Sequence, residues 1–156
     1  MNGVPDPQKI PPGIVLETLR SVLREKGEVA LPAVGFSMGP RFQAAESLVI
    51  RTSSPGQRFS PGAIVVFERN DRWVAHRLWL KWGEIHLTGG DAIGSLDWPA
   101  PQRNALDGEV VALWFHGQRI GLESATVWWR QPRWMAGGVL RLLRMLFLKW
   151  VRRNLP

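Results

Sequence analysis

Hydrolytic chemistry draws on hydroxyl, imidazole and carboxylate groups, and this 156-residue chain supplies one of each from three separated stretches. Ser37 lies in Gly35-Phe36-Ser37-Met38-Gly39-Pro40, directly after an apolar run. A tight turn flanked by Gly and Pro presents a hydroxyl at the surface and leaves backbone N–H groups free to hold an oxyanion. Gly35, Met38 and Pro40 therefore count with Ser37 as residues of a nucleophile turn. A lone serine in such a setting is usually no more than a turn-former. His76 sits in Val74-Ala75-His76-Arg77-Leu78. Strand alternation puts Val74, His76 and Leu78 on one face and Ala75, Arg77 and Trp79 on the other. A histidine among apolar neighbours is more often a hydrogen-bonded core residue than a base. His86 and His116 lack supporting neighbours and read as surface or sheet residues.

Asp91 and Asp97 share the Gly-rich stretch Gly89-Gly90-Asp91-Ala92-Ile93-Gly94-Ser95-Leu96-Asp97-Trp98. Either acid alone reads as a turn residue; together they have the means to orient an imidazole and brace a loop. The parts answer one another's needs. A serine nucleophile requires a base, and a histidine base requires an acceptor on its other nitrogen to fix its tautomer. Ser37, His76 and Asp97 form such a set. The chain has no cysteine, which excludes a thiol nucleophile, a disulfide framework and a thiolate zinc site. It shows no metal-ligand cluster and no phosphate-cradling Gly-rich loop, so neither metal nor cofactor is expected.

These residues need a scaffold of strands. Between residues 30 and 123, short β-branched and aromatic runs alternate with turn residues. Strands are expected at Val29–Val34, Ser47–Thr52, Ala63–Arg69, Trp73–Lys81, Glu84–Leu87, Glu109–Phe115 and Arg119–Glu123. Turns are expected at Asn70-Asp71, Trp82-Gly83 and His116-Gly117-Gln118. The long stretch from Gly89 to Gly108, poor in strand formers, reads as a functional loop. The expected fold is mainly β: a small, strongly bent, barrel-like sheet domain with an amphipathic helix at each end. The divisions are 1–28 for the leader and first helix, 29–125 for the β domain and 126–156 for the basic helical tail.

Residues 14–26 carry apolar side chains at Val15, Leu16, Leu19, Val22 and Leu23, with Gly27 as a stop. Glu17, Arg20 and Arg24 interrupt this run well before the ~20 apolar residues that a bilayer crossing requires. No N-terminal signal or transmembrane span is expected. The net charge of +7 is unevenly spread, because residues 1–118 hold equal numbers of acidic and basic side chains. The whole excess lies in the tail, which argues against a DNA-binding domain. Along 134–151, Val139, Leu140, Leu143, Leu146, Phe147, Trp150 and Val151 gather on one helical side, and Arg141, Arg144, Lys149 and Arg152 gather opposite. Each cation would cost roughly 2.5–3.5 kcal/mol at mid-membrane. Peripheral contact with a membrane surface through this helix suits the pattern better, and docking on the domain or on a partner remains open. The oligomeric state is left open.

Four blocks resemble, in order, those of the type I signal peptidases, in the endoplasmic-reticulum and archaeal branch that uses Ser and His. They are Gly35-Phe36-Ser37-Met38-Gly39-Pro40, Ser60-Pro61-Gly62-Ala63-Ile64-Val65-Val66-Phe67, Ala75-His76-Arg77-Leu78, and Thr88-Gly89-Gly90-Asp91 through Asp97. The resemblance covers about residues 30–115. It implies Ser37 as nucleophile, His76 as general base, Asp97 as its orienting carboxylate and Asp91 as a second supporting acid. It also implies an oxyanion site at the Ser37 N–H, a bent barrel-like β fold, and extended peptide substrates lying beside strands with small residues near the cut. The chain departs from the family's pattern in three ways: no membrane span precedes the nucleophile block, Ala63 stands where Asp is common, and the basic tail is added. Together these departures imply specialised processing in the cytoplasm or at the inner membrane face.

The expectation is therefore a serine endopeptidase acting on a peptide or protein substrate and slowed by acid, since a protonated imidazole accepts no proton. One alternative is a self-cleaving relative of the repressor-type proteases, which pair Ser with Lys. Lys81 is the lysine nearest to hand, and strand parity puts it on the face opposite His76. Another alternative is a non-catalytic module binding peptide or membrane. Nucleic-acid binding is not expected, because the Trp- and Leu-rich tail suits lipid better.

Overall fold

A computed structural model describes residues 12–122, apart from 55–56, 94, 98 and 103–104. Its first element is helix α1, Pro12–Lys26. Leu16 and Leu23 bury one stripe of α1, whereas Ile14 and Val15 remain exposed. Val15 thus lies off the packed face that the spacing assigned to it. The helix stops where expected: Gly27 takes φ 74° and its N–H donates to the Leu23 carbonyl at 2.9 Å. Arg20 clamps α1 to the sheet. Its guanidinium donates to Asp107 (2.8 Å) and Glu68 (2.8 Å), and the Trp73 indole N–H meets the same Asp107 carboxylate at 2.7 Å.

Seven strands follow: β1 Glu28–Pro32, β2 Ser47–Thr52, β3 Ile64–Arg69, β4 Arg72–Trp82, β5 Ile85–Gly89, β6 Leu106–Phe115 and β7 Gln118–Gly121. A single-turn helix, α2 (Pro40–Gln43), lies between β1 and β2 and was not anticipated. All strand pairs are antiparallel, in the order β1-β2-β6-β3-β4-β5, with β7 added beside β6. The expected strands are all present, with ends shifted by up to three residues. The Asn70-Asp71 turn has φ 52° and 56°, and His116-Gly117 has φ 49° and 74°, the left-handed pairs that a two-residue hairpin requires.

The barrel-like expectation needs correction, because the sheet is not closed. Closure would require β1 and β5 to share a ladder. The outer edge of β5 is instead met by the long loop, through the bridge Ile85↔Gln102 and the His86 N–H bond to the Pro101 carbonyl at 3.1 Å. The two faces of the strands feed two apolar clusters. One gathers Leu23, Met38, Phe42, Ile50, Ile64, Val66, Val110 and Leu113; the other gathers Phe59, Ala63, Val65, Phe67, Leu78 and Leu106. Burial of each such Leu, Ile or Phe contributes roughly 1.5–3 kcal/mol.

Among the described residues no helix is long and apolar enough to cross a membrane. The expected tail helix, with Arg141, Arg144, Lys149, Trp150 and Arg152, falls outside the described residues.

Candidate active site

β4 carries the imidazole. His76 pairs with Val65 of β3, Val74 packs on the Phe59–Leu106 cluster that contains Leu78, and the His76 ring meets the Phe67 ring edge-on at 6.2 Å. Ala75 packs against the opposite cluster, as alternation requires. His76 is buried, and its Nδ1 lies 2.8 Å from Asp97 Oδ2. The sequence-expected partnership of His76 with Asp97 is therefore present in the geometry.

Asp97 is placed by its backbone as well as by its side chain. Its N–H donates to the Thr88 carbonyl at 2.8 Å, which anchors the end of the loop to β5. The Thr88 hydroxyl, fully buried, donates to Oδ2 at 2.6 Å, and Arg69 donates to Oδ1 at 2.7 Å. Burial pushes the Asp97 carboxyl upward. The hydrogen bonds from His76 and Thr88, with the charges of His76 and Arg69, outweigh it and hold the group below its ordinary value. An ionised Asp97 accepts only, so Nδ1 of His76 is the donor between them, and in the neutral form of the ring Nε2 is the nitrogen left with a lone pair.

Asp91 does something different. It forms a two-pronged pair with Arg77, Nε to Oδ1 at 2.8 Å and a terminal nitrogen to Oδ2 at 2.5 Å. The buried Arg77 also donates to the Gly62 carbonyl at 2.7 Å. Asp91 thus braces the loop from the face opposite His76. The next residue completes the brace: the Ala92 N–H donates to the Ser37 carbonyl at 2.9 Å.

Ser37 sits in a turn closed by the Gly39 N–H bond to the Phe36 carbonyl at 3.0 Å. Gly35 (φ 101°) and Gly39 (φ 87°) take left-handed conformations that favour glycine, and Pro40 opens α2. Met38 is buried in the core and pins the turn, whereas Val34 and Phe36 are exposed. Gly90 lies so close that a β carbon there would collide with the Ser37 carbonyl. Register explains the proximity: Gly89 pairs with Arg77, so the chain beyond Gly89 runs alongside His76. Among the described residues, neither the Ser37 N–H nor the Met38 N–H donates a hydrogen bond, and Ser37 Oγ is not bonded to the imidazole.

A groove of about 900 Å³ opens beside the turn, lined by Met38, Phe42, Ile64, Arg77, Asp91 and Glu109 among others. Burial raises the Glu109 carboxyl above its ordinary value against the pull of Arg51. Along β4, residues Arg72 to His76 pair with β3 on one side, while β5 joins only from Arg77 onward. Among the described residues, no strand covers the other edge of that half of β4.

The parity argument about Lys81 fails, because a bulge between Leu78 and Leu80 breaks the alternation. Lys81 is nonetheless occupied elsewhere, with Nζ donating to the Phe59 carbonyl at 2.6 Å. His86 is a buried sheet residue and His116 an exposed turn residue. Sequence reasoning missed Thr88, Arg69 and the Arg77–Asp91 pair. Their types were visible in the blocks, but their partners depend on how the loop folds back. Among the described residues no group of His, Cys, Asp and Glu is placed to hold a metal ion. No protein-family model matches the chain, and neither a curated protein nor a solved structure is significantly similar to it.

Proposed function

We propose that the chain is a serine endopeptidase of the signal-peptidase type, cutting extended peptides with small residues near the scissile bond. The observation that carries this reading is that a single loop holds both halves of the machinery. Between Gly89 and Asp97 it grips the Ser37 carbonyl through Ala92 and seats a carboxylate on His76.

In this reading a peptide strand adds to the edge of β4 before His76, which no described strand covers. Nε2 takes the proton from Ser37 Oγ as the hydroxyl attacks the peptide carbonyl, and the imidazolium returns it to the departing amine. Water activated by the same nitrogen then releases the acyl group from Ser37. Asp97 stabilises the imidazolium throughout. The N–H groups of Ser37 and Met38 are the candidate donors to the oxyanion. Substrate seating would draw Oγ and Nε2 into hydrogen-bond reach, as such contacts commonly tighten in the complex.

The test is cleavage of a fluorogenic peptide with alanine at the first and third positions before the cut. Ser37→Ala and His76→Ala should each abolish turnover with the fold intact by circular dichroism. Undiminished cleavage by Ser37→Ala would overturn the assignment.

A second reading, peptide binding without cleavage, is favoured by the absence of a Ser37–His76 hydrogen bond. A serine-acylating probe separates the two: labelling of Ser37 in the folded protein supports the hydrolase, and peptide binding with no labelling supports the module. The basic tail is assigned to peripheral contact with an anionic membrane surface, which would set such a peptidase at the inner face.

A further inference from the structure

Asp97 is 5% exposed, and three side chains share its two oxygens. His76 Nδ1 and Thr88 Oγ1 both occupy Oδ2, and the Arg69 guanidinium occupies Oδ1. These contacts come from three places: β4, β5 and the last residue of β3. A carboxyl group turns readily about its Cβ–Cγ bond unless both ends are held, because that torsion is broad and nearly two-fold. The Thr88 carbonyl fixes the Asp97 backbone but does not fix the rotation of the carboxylate plane.

We propose that Arg69 is a positioning residue: by holding Oδ1 it turns Oδ2 onto Nδ1 of His76 and thereby sets the imidazole's tautomer. This inference rests on the hydrolase reading of the site. Arg69 donates to Asp97 Oδ1, on the side of the carboxylate away from the oxygen that meets the imidazole. Its effect passes through Asp97, which in turn decides which ring nitrogen keeps its proton. With Arg69 gone, a buried oxygen loses its charged donor, the carboxylate plane is free to turn, and the Nδ1–H form loses its fixed acceptor. Imidazole in the Nε2–H form has no lone pair to offer Ser37. The Arg69 side chain is 36% exposed, so its replacement leaves the apolar core untouched.

The experiment uses the full chain, uniformly labelled with nitrogen-15, as wild type, Arg69→Gln and Arg69→Lys. Imidazole nitrogen shifts report the tautomer of His76 directly. The same preparations give kcat and KM on the alanine-containing fluorogenic peptide. The wild type should show a protonated Nδ1 and a bare Nε2. Arg69→Gln should show mixed tautomers and a kcat lower by about 10-fold to 100-fold with KM unchanged, the scale seen when a partner behind a ligating histidine is removed. Arg69→Lys, which keeps a cationic donor, should recover both readouts in part. A wild-type tautomer signature and kcat in Arg69→Gln would overturn the proposal. If no preparation cleaves, the tautomer arm decides alone: mixed tautomers in Arg69→Gln uphold the positioning role while the hydrolase reading falls. An unchanged amide spectrum away from the site confirms that each variant folds.

Discussion

Asp97 is the residue on which protonation and stability meet. Its folded-state value is depressed, so its contribution to stability is present above the unfolded-chain value and is lost as pH falls through the folded one. Thermal unfolding followed from neutral pH into the acid range should show wild type losing stability there, and Asp97→Asn losing less over the same interval. Turnover should fall by about three to four orders of magnitude in Asp97→Asn, because the amide no longer enforces the Nδ1–H tautomer. Thr88→Val removes a donor from the same buried oxygen and should cost about 1–3 kcal/mol of unfolding free energy, measured by denaturant titration. The contact of His76 with Asp97 was legible in the sequence because an imidazole base calls for a carboxylate on its other nitrogen, and the Gly-rich loop held two candidates, Asp91 and Asp97. Thr88 and Arg69 were not legible. A threonine before glycines and an arginine at a strand end are ordinary residues until the backbone brings them to one carboxylate.

At the level of elements, β-branched and aromatic runs set between turn residues exposed the strands, and Asn, Asp and Gly at the turns exposed the hairpins. Two things escaped it. The bulge between Leu78 and Leu80 has no local signature, so parity misled beyond it. Closure of the sheet is decided at its edges, where Gln102 of the long loop, rather than β1, meets β5. Loop position Gly90 carries a sharp prediction. A β carbon there meets the Ser37 carbonyl and the Ile93 side chain, and backbone gives way poorly. Gly90→Ala should lower stability by about 1–3 kcal/mol and depress cleavage well beyond what that loss explains. Calorimetry beside peptide turnover provides the check.

For the whole molecule, α1 belongs to the core. Leu23 is 1% exposed within the main cluster, so Leu23→Ala should cost about 2–5 kcal/mol and lower the melting temperature of the entire β domain in one transition. The charge asymmetry has its own readout. Flotation with anionic vesicles should retain the full chain at low salt and release it at high salt, and Arg141→Gln with Arg144→Gln and Lys149→Gln should abolish retention without changing turnover of a free peptide. The loop between β5 and Asp97 is moored at one point to the Ser37 carbonyl and at another to the imidazole. On the proposed reading, a ligand that pried this span from either mooring would act on the serine turn and the imidazole through one piece of backbone.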